Sequence, residues 1–182
     1  AWMLKAWEWV ACRAAKRIVL DTQAQAEYFE MSYGLHPSKV TSVFVGAEAK
    51  CFDRVSPRKS GERAKVLFYG QFIPLHGIST IIEAARLSRE KEIDWTIIGR
   101  GQMADHIRQL LAQEPIDNLE WLEWVPYAEL SQHIEEADVC LGVFGESDKA
   151  GRVIPNKVFQ TLCAGRPLVT RDGPGMRELV SD

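Results

Sequence analysis

Three cations around the start of one predicted helix, and two glycines bracketing the start of another, are the features of this sequence best fitted to hold an anion. The glycines belong to GQFIPLHG, Gly70 to Gly77, directly after a predicted strand. A helix amino terminus presents unpaired N–H groups and about half a positive charge, which suits a phosphate. Gly70, Gln71, His76 and Gly77 are therefore candidate diphosphate contacts. The cations belong to GESDKAGRVIPNK, Gly145 to Lys157. Lys149, Arg152 and Lys157 would be repelled by the dipole of the helix that follows unless an anion sat among them, and a bound diphosphate explains all three. Glu146, in the same segment as Asp148, is the candidate catalytic carboxylate. On the residues alone, a bare strand-to-helix turn and a solvated charged loop stay open as the plainer alternatives.

Two further loops carry weaker signals. GRGQMA, Gly99 to Ala104, fits the G-x-G-x-x-G/A dinucleotide fingerprint. That fingerprint normally follows the first strand of its domain, with an acid about 20 residues on. Here it follows the second strand, and Glu120 and Glu123 stand at that separation. Gly99 and Gly101 thus read as a dinucleotide site, another nucleotide or sugar contact, or a tight turn. Val125, Pro126 and Tyr127 form a short connection whose backbone suits a nucleobase edge, or which is only a connection.

These loops need elements to hold them. Short β-branched runs alternate with amphipathic helices, the pattern of βαβ units and a mostly parallel sheet. Strands are expected near Arg17 to Leu20, Thr41 to Val45, Lys65 to Tyr69, Trp95 to Ile98, Leu119 to Trp124, Val139 to Phe144 and Leu168 to Thr170. Helical stripes run through Ile78, Ile81, Ile82 and Ala85, through Met103, Ile107, Leu110 and Leu111, and through Leu130, Ile134 and Ala137. A fourth helix starts after Pro155 and stops at Gly165, with Val158, Phe159, Leu162 and Cys163 on its apolar face. In an open sheet of this kind ligands bind outside the carboxyl ends of the strands, where all four loops lie. Lys50 to Arg63, charged and holding Pro57 and Gly61, reads as a linker. It divides the chain into a remnant of one α/β domain, residues 1–49, and a truncated nucleotide-binding domain, residues 64–182.

Composition excludes several classes. In 182 residues, 22 Lys and Arg against 25 Asp and Glu leave a net charge of −3, without the basic footprint of a nucleic-acid binder. No apolar run approaches the ~18 residues of a membrane span. Cys12, Cys51, Cys140 and Cys163 have neither zinc nor redox spacing and read as reduced thiols of a cytoplasmic protein. No metal site is expected. The tryptophans are assigned mainly to packing, with Trp2, Trp7 and Trp9 on an interdomain surface, and His133 to the core. A helical pattern already under way at Met3 and a short helix-like end at Met176 to Val180 suggest a fragment of a larger enzyme.

RVIPNKVFQTLCAGRPLVTRD, preceded by ADVCLGVFG and KVLFYGQFIPLHGISTIIEAARL, resembles the nucleotide-sugar-binding half of group 1 (family 4) glycosyltransferases of GT-B architecture. RIVLDTQAQAEYF and KVTSVFVGAEAKCF resemble the end of their acceptor-side domain. The resemblance implies a Rossmann-like parallel sheet flanked by helices, incomplete at both ends. It implies sugar transfer from a nucleoside diphosphate sugar to an acceptor hydroxyl, with retention and no cofactor. The acceptor is a carbohydrate, a lipid-linked acceptor or a small molecule, and peripheral membrane association is compatible with it. Gln71 stands where the family commonly has Arg, His76 where it has Lys, and Gln160 where its ribose-binding Glu is expected. Arg152 replaces the partner acid, which leaves phosphate binding to Lys157 and Arg152 and the ribose to Gln160. An NAD(P)-dependent oxidoreductase built on GRGQMA and a non-catalytic nucleotide-binding scaffold are the rival readings.

Overall fold

The computed structural model describes residues 2–48, 50–52 and 63–180. The elements begin with α1 (Trp2–Ala14), β1 (Ile18–Leu20), α2 (Gln23–Tyr33) and β2 (Val40–Ser42). They continue with β3 (Ala64–Tyr69), α3 (Ile78–Leu87), β4 (Ile93–Ile98), α4 (Ala104–Gln113), β5 (Leu119–Leu122), α5 (Tyr127–Glu136) and β6 (Val139–Leu141). Two helices, α6 (Asp148–Arg152) and α7 (Asn156–Cys163), then β7 (Leu168–Val169) and α8 (Pro174–Leu179), complete the order. No helix among the described residues is long and apolar enough to cross a membrane.

The chain gathers into two compact units, Gly46–Ala150 with Pro155–Arg171, and Ala1–Val45 with Gly151–Ile154 and Asp172–Asp182. Two segments that the sequence reading assigns to the 64–182 domain thus gather with the N-terminal residues. The proposed linker at 50–63 lies mostly outside the described residues.

The larger unit holds a five-stranded, all-parallel sheet in the order β5-β4-β3-β6-β7. Alternate residues of a strand face opposite sides, and β3 uses both sides. Phe68 packs with Ile97, Leu141 and the buried stripe of α3, Ile78, Ile81, Ile82 and Ala85. Its neighbours Leu67 and Tyr69 pack with Ile98, Cys140, Ile134 and Ala164 on the other face. After β3 the chain builds β4 and β5 to one side, then returns to place β6 on the other. The carboxyl ends of β3 and β6 are therefore the topological switch point, where an open α/β sheet leaves a crevice.

The strands are shorter at their carboxyl ends than the apolar runs suggest. Val143 and Phe144 continue the apolar run of β6, but the Phe144 N–H turns to the His76 carbonyl at 3.1 Å, which ends the ladder. A helix also lies inside a segment read as loop, since Asp148 to Arg152 is α6. Among the tryptophans, Trp95 is buried as expected, whereas Trp2, Trp7 and Trp9 are exposed, with Arg13 stacked 4.4 Å over Trp9.

In the smaller unit β1 and β2 pair in parallel from Ile18 opposite Val40. The Thr22 hydroxyl caps α2 by accepting from the Gln25 N–H at 3.1 Å. Glu178 of α8 supplies both carboxylate oxygens to the next two amides, Gln23 and Ala24, each at 2.7 Å. An acid at a helix amino terminus is doubly favoured, by hydrogen bonding and by the dipole.

Candidate functional site

The loop after β3 is fixed by backbone before any side chain enters. Gly70 donates to the Ile98 carbonyl at 2.9 Å and Phe72 to the Arg100 carbonyl at 2.9 Å, which ties this loop to the one after β4. A single turn, Pro74–His76, then leads to Gly77 at φ +66°, a left-handed conformation that favours glycine. A Cβ on Gly77 would lie 2.5 Å from the Phe144 carbonyl carbon, so the start of α3 and the end of β6 approach more closely than any other residue permits. This is the crevice of the switch point, and its walls are main chain.

Lys157, on the first turn of α7, lies beneath that loop and is 5% exposed. Its ammonium nitrogen has no hydrogen-bond partner among the described residues and sits 3.8 Å from the Phe68 ring centroid. Burial pushes its pKa well below the usual lysine value. The helix is held in place by the Tyr69 hydroxyl, which donates to the Lys157 carbonyl at 3.1 Å. Nδ1 of His76 lies 2.5 Å from the Gln71 carbonyl. A carbonyl only accepts, so Nδ1 carries the proton and Nε2 is bare. Burial pushes the His76 pKa down to about 4. Gly70 is where these side chains meet, since a Cβ there would lie 2.9 Å from Lys157 Nζ and 3.3 Å from His76 Cε1. Gly70, Gln71, His76 and Lys157 are thus brought together around one point, while Gly77 packs against Phe144 and Gly145.

Beside them opens a cavity of about 910 Å³ lined by Tyr69, Gly70, Gln71, Gly99, Arg100, Gly101, Trp124, Val125 and Tyr127. The Gln160 amide lies 3.5 Å from the Tyr127 hydroxyl, and Pro126 precedes α5 at the same rim. The candidate ribose and base contacts therefore converge. The reason for two glycines in GRGQMA is local, however. A Cβ on Gly99 would lie 1.9 Å from the Gly70 carbonyl oxygen, and one on Gly101 2.8 Å from that of Phe72. Close approach of the two loops accounts for the fingerprint without a dinucleotide. Across the cavity Arg108 pairs with Asp105 and Glu123, its guanidinium 5.3 Å over Trp121.

The other candidates have surroundings of their own. Arg152 gathers with the smaller unit, where its guanidinium lies 3.9 Å over the Tyr28 ring and donates to Gln25 Oε1 at 3.1 Å. Lys149 is exposed on α6 and makes no hydrogen bond or ion pair among the described residues. Glu146 is exposed at a separate cavity of about 410 Å³, beside Gly77, Ser79 and Thr80. The segment carrying it is held by Arg171, which donates to the Gly145 carbonyl and, at 3.3 Å, to that of Ser147. Sequence reasoning missed Arg171, Arg100, Trp124 and Tyr69. The last two were readable in principle, because each is the final residue of a strand expected from the sequence. Among the described residues no group of three or more His, Cys, Asp or Glu is placed to hold a metal ion.

Known proteins extend this picture. The family profile described as Glycosyl transferases group 1 matches residues 63–182. A probable glycosyltransferase, WbjE of Pseudomonas aeruginosa, is 26% identical over 113 residues, 62% of this chain and 28% of that protein. Sucrose-phosphate synthase of Thermosynechococcus elongatus superposes with a TM-score of 0.80 at 15% identity, over 100% of this chain and 47% of its own. Anabaena HepE, solved in complex with UDP-glucose, superposes with a TM-score of 0.75 at 14% identity, over 92% of this chain and 48% of its own. The chain spans less than half the length of each of these proteins, and at such identities the superpositions speak for the fold alone.

Proposed function

The chain belongs to the group 1 glycosyltransferases, and on that premise we propose that it binds a nucleoside diphosphate sugar at the carboxyl ends of β3 and β6. In this reading it serves transfer of the sugar to an acceptor hydroxyl, with retention at the anomeric carbon. The observation that carries the reading is the Lys157 ammonium, buried, without a hydrogen-bond partner and directed to the glycine-lined crevice. A charged group removed from water costs several kcal/mol unless it is paired, and a diphosphate is the partner that the family uses. Charge grows on the departing diphosphate as the sugar leaves. Lys157 is fixed beforehand where that charge develops, which is the general way electrostatic stabilisation lowers a barrier.

The nucleoside would occupy the cavity beside it, with the ribose toward Gln160 and Tyr127 and the base along Val125. Its acceptor, carbohydrate, lipid-linked or a small molecule, would meet residues that this chain does not supply, in a cytoplasmic protein that needs no cofactor beyond the donor. Glu146, Lys149 and Arg152 contribute no contact to the donor site in this reading.

Titration with UDP, GDP and NADH tests it. Binding of a nucleoside diphosphate and not of NADH is expected, together with no measurable sugar transfer by these 182 residues alone, since GT-B chemistry draws groups from two facing domains. Binding of NADH alone would revive the oxidoreductase reading, which loses its support where Gly99 and Gly101 are explained by loop packing.

A further inference from the structure

Lys157 and His76 are two titratable bases around one point, and among the described residues no carboxylate faces either of them. The elements packed about the Lys157 side chain contribute Phe68 and Tyr69 from β3 and His76 from the loop after it. Tyr69 turns its hydroxyl to the Lys157 carbonyl, and His76 commits its only proton to the Gln71 carbonyl. Cys140 of β6 packs in the same cluster as Tyr69 and is a thiol whose pKa burial raises to about 11. Nothing in this shell offers a negative charge to an ammonium. A buried amine in such surroundings releases its proton instead of carrying an unpaired charge, and its lowered pKa agrees with that.

We propose that Lys157 is the proton carrier of this site, neutral in the ligand-free protein and protonated only while a diphosphate is bound. On arrival of the ligand the lone pair of Nζ takes a proton from solvent, and the new N–H bond donates to a phosphate oxygen. On departure the proton returns to water. Donor binding is thereby coupled to proton uptake, and affinity falls as pH rises. A guanidinium in the same place would stay charged throughout and show no such coupling. The inference rests on the reading of this crevice as the diphosphate site and adds its regulation by pH.

Calorimetric titration of the 182-residue chain with UDP-glucose and with GDP-mannose, in buffers of different ionisation enthalpy, counts the protons taken up per ligand bound. Both diphosphates are esterified at each end and hold no proton near neutrality, so uptake reports on the protein. At about pH 8, uptake of roughly half to one proton is expected in the wild type, persisting in His76→Gln and falling severalfold in Lys157→Arg. Affinity of the unsubstituted protein should fall between about pH 7 and pH 9, at most tenfold per unit. Tight binding with no uptake and a flat pH profile would overturn the proposal while leaving the donor site standing. Loss of the uptake in His76→Gln would give the proton to histidine and overturn it too. If equilibrium dialysis finds neither nucleotide sugar bound, the diphosphate site itself fails, and this inference with it.

Discussion

The guanidinium of Arg152 stacks on Tyr28 and donates to Gln25, while its carbonyl accepts from the Thr22 hydroxyl at 2.5 Å. Lys157, from the same run GRVIPNK, is buried where Arg152 is half-buried, and its Nζ has no acceptor among the described residues. Both are cations near the start of α7, and a reading by charge alone gives them one job. Their surroundings divide them. A cation whose hydrogen bonds and ring contact are satisfied within its own unit is holding that unit together. A lysine kept dry beneath a glycine-lined crevice, with no partner for its proton, is stability given up for binding, because its charged form is costly until an anion arrives.

The largest effect should fall on that contrast. Lys157→Ala is expected to weaken nucleoside diphosphate binding by roughly 1.5 to 3 kcal/mol, the range for charge-assisted hydrogen bonds. Arg152→Ala should leave the same affinity within about twofold and instead lower stability by about 1 kcal/mol through the lost stacking and hydrogen bond. Paired calorimetric and denaturant titrations of the two variants read both numbers. Equal losses of affinity would erase the distinction between the two cations.

His76 sharpens it through pH. Its pKa is about 4 in the folded chain against the ordinary 6.5, so between these values the unfolded chain binds more protons than the folded one. Stability is fully present above about pH 6.5 and is lost as pH falls toward 4, by at most about 3 kcal/mol and, with solvent screening of the partly exposed ring, on the order of 2 kcal/mol. Relative to His76→Gln, the wild type should lose that amount across the window, as measured by urea unfolding at a series of pH values. A constant difference would mean that the imidazole charges freely.

The smallest expected effect belongs to Gln160. Its amide already reaches the Tyr127 hydroxyl at 3.5 Å, on the rim of the large cavity. A carboxylate there would accept more strongly from ribose hydroxyls, so Gln160→Glu should tighten UDP binding by about 1 kcal/mol or less. Weaker binding would put the diphosphate within range of the new charge, or the ribose elsewhere.

Much of the fold is legible in the apolar spacing. Ile78, Ile81, Ile82 and Ala85 predict the buried face of α3 correctly, because burial of one stripe is a local matter of helical period. Leu162 breaks the pattern on α7, 42% exposed where a core residue is expected, since only Val158 and Phe159 of that stripe turn fully inward. The site is less legible where its logic is long-range. Arg152 finds Gln25 across 127 residues of sequence, and no periodicity announces that. The glycines of GRGQMA stay open to several readings for the same reason. A single loop cannot reveal that the Gly70 carbonyl lies where a side chain on Gly99 would go. The strand-end rule, by contrast, points to the crevice where Gly70, His76 and Lys157 meet, because strand order puts the switch point between β3 and β6.

The central claim is that the ammonium of Lys157 is the diphosphate ligand of this fold. A crystal of the chain soaked with UDP-glucose or GDP-mannose tests it directly. The account predicts a diphosphate oxygen about 3 Å from Lys157 Nζ, over Gly70, with Arg152 still stacked on Tyr28. A diphosphate bound elsewhere, with Nζ of Lys157 still without a partner against Phe68, would contradict it.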